Sequence, residues 1–236
     1  MNITRKLPIG IQSFEKLRRD SYLYIDKTPF LWQLIQVSSP YFLSRPRRFG
    51  KSLFLSTLAA YFRGQKELFK GLYLEKAEEE QAAQENRTPW QEYPVLYLDF
   101  NVGKYTDTGA LNERLHVLLG EAEQEYGITA MKEEQPFFAS RFEKLLKIIY
   151  QQTGKQVVIL IDEYDKPLLQ TMGVNEALNE QYRNTLKAFY SVIKTCDEYI
   201  RFAFLTGVTK FSKISIFSDL NNLNDISLLP KYAGIC

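Results

Sequence analysis

Two cysteines and one histidine are all that the 236 residues contain. Cys196 and Cys236, the second at the last position, supply neither a disulfide framework nor a ligand cluster, and such scarcity fits a reducing compartment. His116 sits alone in Leu115-His116-Val117-Leu118-Leu119 and reads as an ordinary helix histidine, which removes zinc chemistry from consideration. No run of about 18 apolar residues occurs, and no hydrophobic signal core follows Arg5-Lys6. The expectation is a soluble, cytoplasmic chain without a membrane role. An excess of either charge is missing too. With 30 basic and 28 acidic side chains the formal net charge is +2, so any basic function has to be local.

What is present is ordinary for a globular protein: 45% hydrophobic and 25% charged residues. No internal repeat or low-complexity linker divides the chain, so one domain over residues 1–236 is expected, with 1–40 as an N-terminal lead-in. Thr28-Pro29 marks a helix start, with Thr28 as cap and Pro29 in the first turn, running to about Val37. Tyr41 to Ser44 reads as a short buried strand, and Leu53 to Phe62 as an apolar helix ended at Gly64. The polar stretch from Glu75 to Glu92 reads as a solvated surface helix and loop.

Pro94 to Phe100 is a second strand candidate, followed by amphipathic segments over about 108–126 and 136–152. Val157-Val158-Ile159-Leu160-Ile161 is an unbroken apolar run, as expected of a parallel strand buried on both faces. A helix over roughly 176–196, a strand from Ile200 to Thr206 and a short fifth strand at Leu223 to Ser227 complete the pattern. Strands alternating with helices predict an α/β sandwich of three layers, a mainly parallel sheet flanked by helices.

Ser44-Arg45-Pro46-Arg47-Arg48-Phe49-Gly50-Lys51-Ser52 falls between the first strand and its helix. A strand-to-helix turn leaves amides unpaired at the helix start, where the dipole adds positive potential. Gly50 permits close approach of a phosphate, Lys51 reaches its outer oxygens, and Ser52 is placed to ligate Mg²⁺. Arg47, Arg48, Phe49, Gly50, Lys51, Ser52 and Leu53 are therefore the candidate nucleotide-binding set. The usual pattern has glycine where Arg45 stands, so this loop has to curve differently. Three readings stay open for Arg45, Arg47 and Arg48: phosphate ligands replacing the glycine, a patch on a nucleic-acid backbone, or a solvated loop.

The apolar run ends in Asp162-Glu163. Carboxylates there are costly unless they emerge at the sheet's carboxyl edge, where open α/β sheets bind ligands. Asp162 is the candidate Mg²⁺ residue with Ser52, held through water. Lys51, Glu163 and Thr206 are the candidate catalytic residues: charge stabiliser, water-orienting base and γ-phosphate sensor. The plain alternatives are an acidic turn, a strand-end threonine, and a surface ion pair between Asp165 and Lys166.

Taken with Pro8-Ile9-Gly10, Phe14, Tyr24-Ile25-Asp26-Lys27-Thr28, Leu160 to Asp165, Leu205 to Phe211, Asn221 to Ile226 and Tyr232-Ala233, the Arg45 to Ser52 loop resembles that of the bacterial AAA-ATPase-like family. Members are sometimes fused to a C-terminal nuclease domain of the PD-(D/E)XK type. The resemblance implies a P-loop NTPase fold, ATP and Mg²⁺ as cofactors, Walker-type roles for Lys51, Ser52, Asp162 and Glu163, and Arg45 as the family's own variant. It also implies that the Pro8 to Phe14 segment lies near the adenine. Neither the helical lid nor the nuclease-like part of such proteins is expected within residues 1–236. The leading expectation is Mg-dependent ATP hydrolysis coupled to conformational change. The alternatives are a nucleotide-gated switch without turnover and a nucleic-acid-binding module.

Overall fold

The computed structural model describes residues 6–129, 137–209 and 222–235. Lys210, Phe211, Asn221 and Cys236, used in reading the sequence, lie outside them. The helices are α1 (Phe14–Arg19), α2 (Thr28–Ile35), α3 (Lys51–Phe62), α4 (Tyr73–Gln84), α5 (Ala110–Glu125), α6 (Phe138–Thr153), α7 (Lys166–Thr171) and α8 (Glu176–Thr195). The strands are β1 (Pro40–Ser44), β2 (Val95–Asp99), β3 (Val157–Asp162), β4 (Ile200–Gly207) and β5 (Asn224–Asp225). They form one sheet in the order β2-β3-β4-β1-β5, and every pairing is parallel.

Every residue of β3 is buried, as its unbroken apolar run predicts. Alternation along the strand divides the core. Val157, Ile159 and Ile161 join the cluster formed with α5, α6 and α8, among them Leu115, Phe142 and Phe189. Val158 and Leu160 face the other way, into Phe54, Leu58 and Phe62 of α3 and the aromatic side chains Phe202 and Phe204. Each such fully buried side chain contributes on the order of 2 kcal/mol from apolar transfer, so the central strands anchor both layers. The chain is thus an α/β protein with a five-stranded parallel sheet flanked by helices.

Local chemistry sets the element ends. Asn175 caps α8 by accepting from the amide of Leu178, and Gly154 closes α6 in the left-handed region at φ 66°. Thr28 proves to be the first residue of α2 rather than its cap. Its buried hydroxyl donates to Asp26 and accepts from the amide of Leu74, tying α2 to α4.

The acidic stretch departs from its reading as solvated surface. Glu78 is buried, accepting from the Tyr61 hydroxyl, the Trp90 amide and the Arg87 guanidinium. A carboxylate with three donors tolerates burial that an unpaired one would not. The fifth strand is also shorter than predicted, with only Asn224 and Asp225 paired to β1. Among the described residues no helix is long and apolar enough to cross a membrane.

Candidate functional site

The carboxyl ends of β1, β3 and β4 converge on one edge of the sheet. β4 lies between the other two: Leu43 is in register with Thr206, and Ile161 with Leu205. The acidic pair therefore faces the glycine–lysine–serine turn across an intervening strand, an order that spacing along the chain did not reveal.

Arg48 and Gly50 both have positive φ, at 67° and 79°, on either side of Phe49. Alternation of this kind curls successive amides into a concave nest that suits an anion. A non-glycine residue at such an angle is strained by about 1–3 kcal/mol, and strain of this sort gathers at functional loops. Gly50 caps α3 and has no side chain to satisfy the helix's first amides, which belong to residues that line a hollow at this turn. That hollow has a volume of about 690 Å³, within the size range of cofactor clefts. Arg47, Arg48, Gly50, Lys51, Ser52 and Leu53 line it, together with Glu163, Asn101 and the segment Pro8 to Gln12.

Two loop residues face elsewhere. The Arg45 guanidinium donates to the carbonyls of Ser44 and Ser227, bracing β1 against the chain after β5, and it does not line the cavity. As a candidate phosphate ligand it is thus corrected to a structural brace. Phe49 is half exposed and lines an adjoining apolar hollow of about 300 Å³ with Leu23, Tyr24, Ile25 and Phe54.

Lys51 is buried at the cavity floor. Its ammonium donates to the carbonyls of Arg45 at 3.1 Å and Pro46 at 3.3 Å, and lies 3.2 Å from Glu163 Oε1. An ammonium has three donors, and all three are engaged. Burial pushes the Glu163 carboxyl up from its ordinary value, and the neighbouring Lys51 charge only partly offsets this. Glu163 also holds φ at 52°, which makes it, with Arg48, one of two non-glycine cavity-lining residues in the left-handed region.

Asp162 is 3% exposed, and Thr206, beside it on β4, is fully buried. The Thr206 hydroxyl donates to Asp162 Oδ1 at 2.6 Å. Thr206, read from the sequence as a γ-phosphate sensor, is not among the residues lining the 690 Å³ hollow or its two neighbours, and its hydroxyl is bonded to the aspartate. Asp162 and Ser52 meet in a second hollow of about 310 Å³, which Asp99 and Tyr97 also line. Asp99 is in register with Asp162 on the neighbouring strand, and its carboxyl is raised, chiefly by burial. Sequence reasoning passed over Asp99 and Asn101. The signal was there: Val95 to Asp99 ends in a carboxylate just as Val157 to Asp162 does.

The alternative of a surface ion pair between Asp165 and Lys166 is not what the structure shows. Asp165 is wholly buried and takes the amides of Val208 and Thr209, whereas Lys166 donates to Asn101.

A parallel sheet flanked by helices, a strand–loop–helix turn beside a cavity, and carboxylates at the same carboxyl edge make this an α/β protein with a cleft at the end of its central strands. The family model described as Predicted AAA-ATPase matches residues 8–217, and the chain belongs to that AAA-ATPase-like family. A curated relative from Azotobacter chroococcum mcd 1, called "Uncharacterized protein in vnfD 5'region", is 45% identical over 234 residues, which is 98% of this chain and 43% of the relative. The chain thus spans less than half the length of that relative. Family membership points to nucleotide binding.

Proposed function

We propose that this chain is a cytoplasmic P-loop module that binds ATP and hydrolyses it with Mg²⁺, coupling turnover to a change of shape. The observation that carries this reading is the meeting of Lys51 and Glu163, at 3.2 Å, in the cavity that the Arg47 to Leu53 turn lines. A loop amide nest, a buried lysine and a carboxylate from another strand are the parts that phosphoryl transfer requires, because its catalysis is mostly positioning and charge stabilisation.

The residues present fit the nucleotide and its cation. The concave turn offers amides and the guanidinium groups of Arg47 and Arg48 to phosphate oxygens. The Ser52 hydroxyl and the Asp162 carboxylate share one hollow and are hard oxygen donors of the sort Mg²⁺ takes. Among the described residues no three His, Cys, Asp or Glu side chains gather as a protein-only cage. Magnesium would therefore be held by Ser52 and, through water, Asp162, along with the phosphates. When bound, it would supply Lewis-acid stabilisation of the charge that develops on the phosphates.

In this reading Lys51 leaves Glu163 and turns to the outer phosphates. Glu163, relieved of its partner, orients the attacking water and accepts its proton; the upward push on its carboxyl makes it a better base than a fully solvated glutamate. Thr206 holds Asp162 in place. Replacing Lys51 by Ala should strongly weaken Mg-dependent ATP binding while the fold persists, and Glu163→Gln should keep binding but stop turnover. Undiminished ATP affinity in a folded Lys51→Ala protein refutes the reading.

One observation favours the second reading, a nucleotide-gated switch without useful turnover. All three Lys51 donors are engaged, so a phosphate has to displace the Glu163 pair, and binding alone changes the site. Steady-state phosphate release equal to that of Glu163→Gln selects the switch. The nucleic-acid reading loses support, because Arg45 is braced to Ser227 and the other two arginines line a cavity.

A further inference from the structure

We infer that Asp165, through Val208 and Thr209, is a positioning residue that fixes Glu163 in its left-handed conformation. The inference rests on the reading of Glu163 given above. Asp165 is 0% exposed, and no ion pair reaches it among the described residues. Both of its oxygens instead face the chain leaving β4. The Val208 amide lies 3.2 Å from Oδ1 and 3.1 Å from Oδ2. The Thr209 amide and hydroxyl donate to Oδ2 at 2.7 and 2.8 Å. A buried carboxylate with donors from one short segment acts as a clamp, since releasing any donor leaves charge unsatisfied.

The clamp has further teeth. The Tyr164 amide donates to the Thr206 carbonyl at 3.0 Å, and the Tyr164 hydroxyl to the Thr209 carbonyl at 3.0 Å. A Cβ on Gly207 would lie 2.3 Å from the Tyr164 ring, so the two strands' ends approach as closely as glycine allows. Asp162 on one side of Glu163 is held by Thr206, and Asp165 on the other by Val208 and Thr209. Glu163, at φ 52°, is the one strained residue between two fixed points. The end of β4 thereby aims the carboxylate at Lys51.

The test is a double-mutant cycle on ATP affinity, read with a fluorescent ATP analogue, using Asp165→Asn and Glu163→Gln. In Asp165→Asn the new amide group faces the Val208 or Thr209 N–H, so donor opposes donor. Removing the Lys51–Glu163 pair by Glu163→Gln should shift affinity by about threefold to tenfold, the size of one partly buried pair. Asp165→Asn should produce part of that shift in the unmodified chain and none on the Gln background. Turnover in Asp165→Asn should fall at least about tenfold beyond any affinity change, as loss of base alignment demands.

Because Asp165→Asn is a core change, Thr209→Val and Thr209→Ser serve as the second pair. Val should lower turnover by more than its loss of stability accounts for, measured well below its melting temperature, and Ser, which keeps the hydroxyl, should restore it. Independent effects in the cycle, or normal turnover in folded Asp165→Asn and Thr209→Val, overturn the positioning role. If the unmodified chain binds ATP without turnover, the hydrolysis reading fails and the affinity cycle alone decides this one. If it binds no ATP, both fail together.

Discussion

The ammonium of Lys51 stands 3.2 Å from Glu163 Oε1, joining the first turn of α3 to the end of β3 although β4 runs between their strands. In the proposed reading the two groups part when a phosphate reaches Lys51, so this contact opposes nucleotide entry. It makes the cost of entry a measurable quantity.

Lys51→Ala should weaken ATP binding by about fiftyfold or more, the value of a charge-assisted contact worth about 2–3 kcal/mol. Titration with a fluorescent ATP analogue measures it, and circular dichroism should show the helices intact. Arg45→Ala should instead leave ATP affinity within about threefold and lower the melting temperature, because that side chain braces Ser44 and Ser227.

Glu163→Gln should be neutral or stabilising at pH 8. Its folded-state carboxyl is raised, chiefly by burial, so the ionised form is disfavoured in the native protein relative to the unfolded chain. The penalty is present above the folded pKa and fades as pH falls through it. The melting-temperature advantage of the Gln variant should therefore shrink between pH 8 and the acid range. A growing advantage on acidification contradicts this assignment.

Thr206→Val keeps shape but removes the donor to Asp162 Oδ1. A buried carboxylate short of one partner costs about 1–3 kcal/mol, visible in chemical denaturation. Loss of the aspartate's alignment should also raise the Mg²⁺ concentration needed for half-maximal ATP binding. If Thr206 touched phosphate instead, ATP affinity at saturating Mg²⁺ would fall and the Mg²⁺ requirement would not move.

Gly207→Ala places a methyl 2.3 Å from Tyr164 Cε1 and 2.8 Å from Asp165 Oδ1. Overpacking of this degree costs about 1–3 kcal/mol and pushes the 162–165 turn away from β4. Turnover should fall more than stability predicts, since the displaced turn carries Glu163. Gly50→Ala meets no protein atom within 4 Å, so its effect on stability should come from backbone strain.

Much of the fold could be read from the residues. β3 was legible because a strand buried on both faces has no polar alternation, and α6 and α8 because their apolar faces recur at helical spacing. α1 and α7 were missed; six residues each are too short to show a period. The acidic α4 misled, because Glu78 is buried by partners at positions 61, 87 and 90 that no local pattern links to it.

For the site, local chemistry was enough to mark the loop and the carboxylates. Gly50, Lys51 and Ser52 between strand and helix, and Asp162-Glu163 after an apolar run, are decided by short-range rules: unpaired helix-start amides, and charge that has to leave a buried strand. Strand order, and the company each side chain keeps, were decided only in three dimensions. Whether Arg45 meets a phosphate or Ser227, whether Thr206 faces a ligand or Asp162, and whether Asp165 pairs with Lys166 or Thr209 depends on which strands lie side by side. Hydrogen bonds and ion pairs act over a few ångströms in space, while these partners lie 44 to 182 residues apart along the chain.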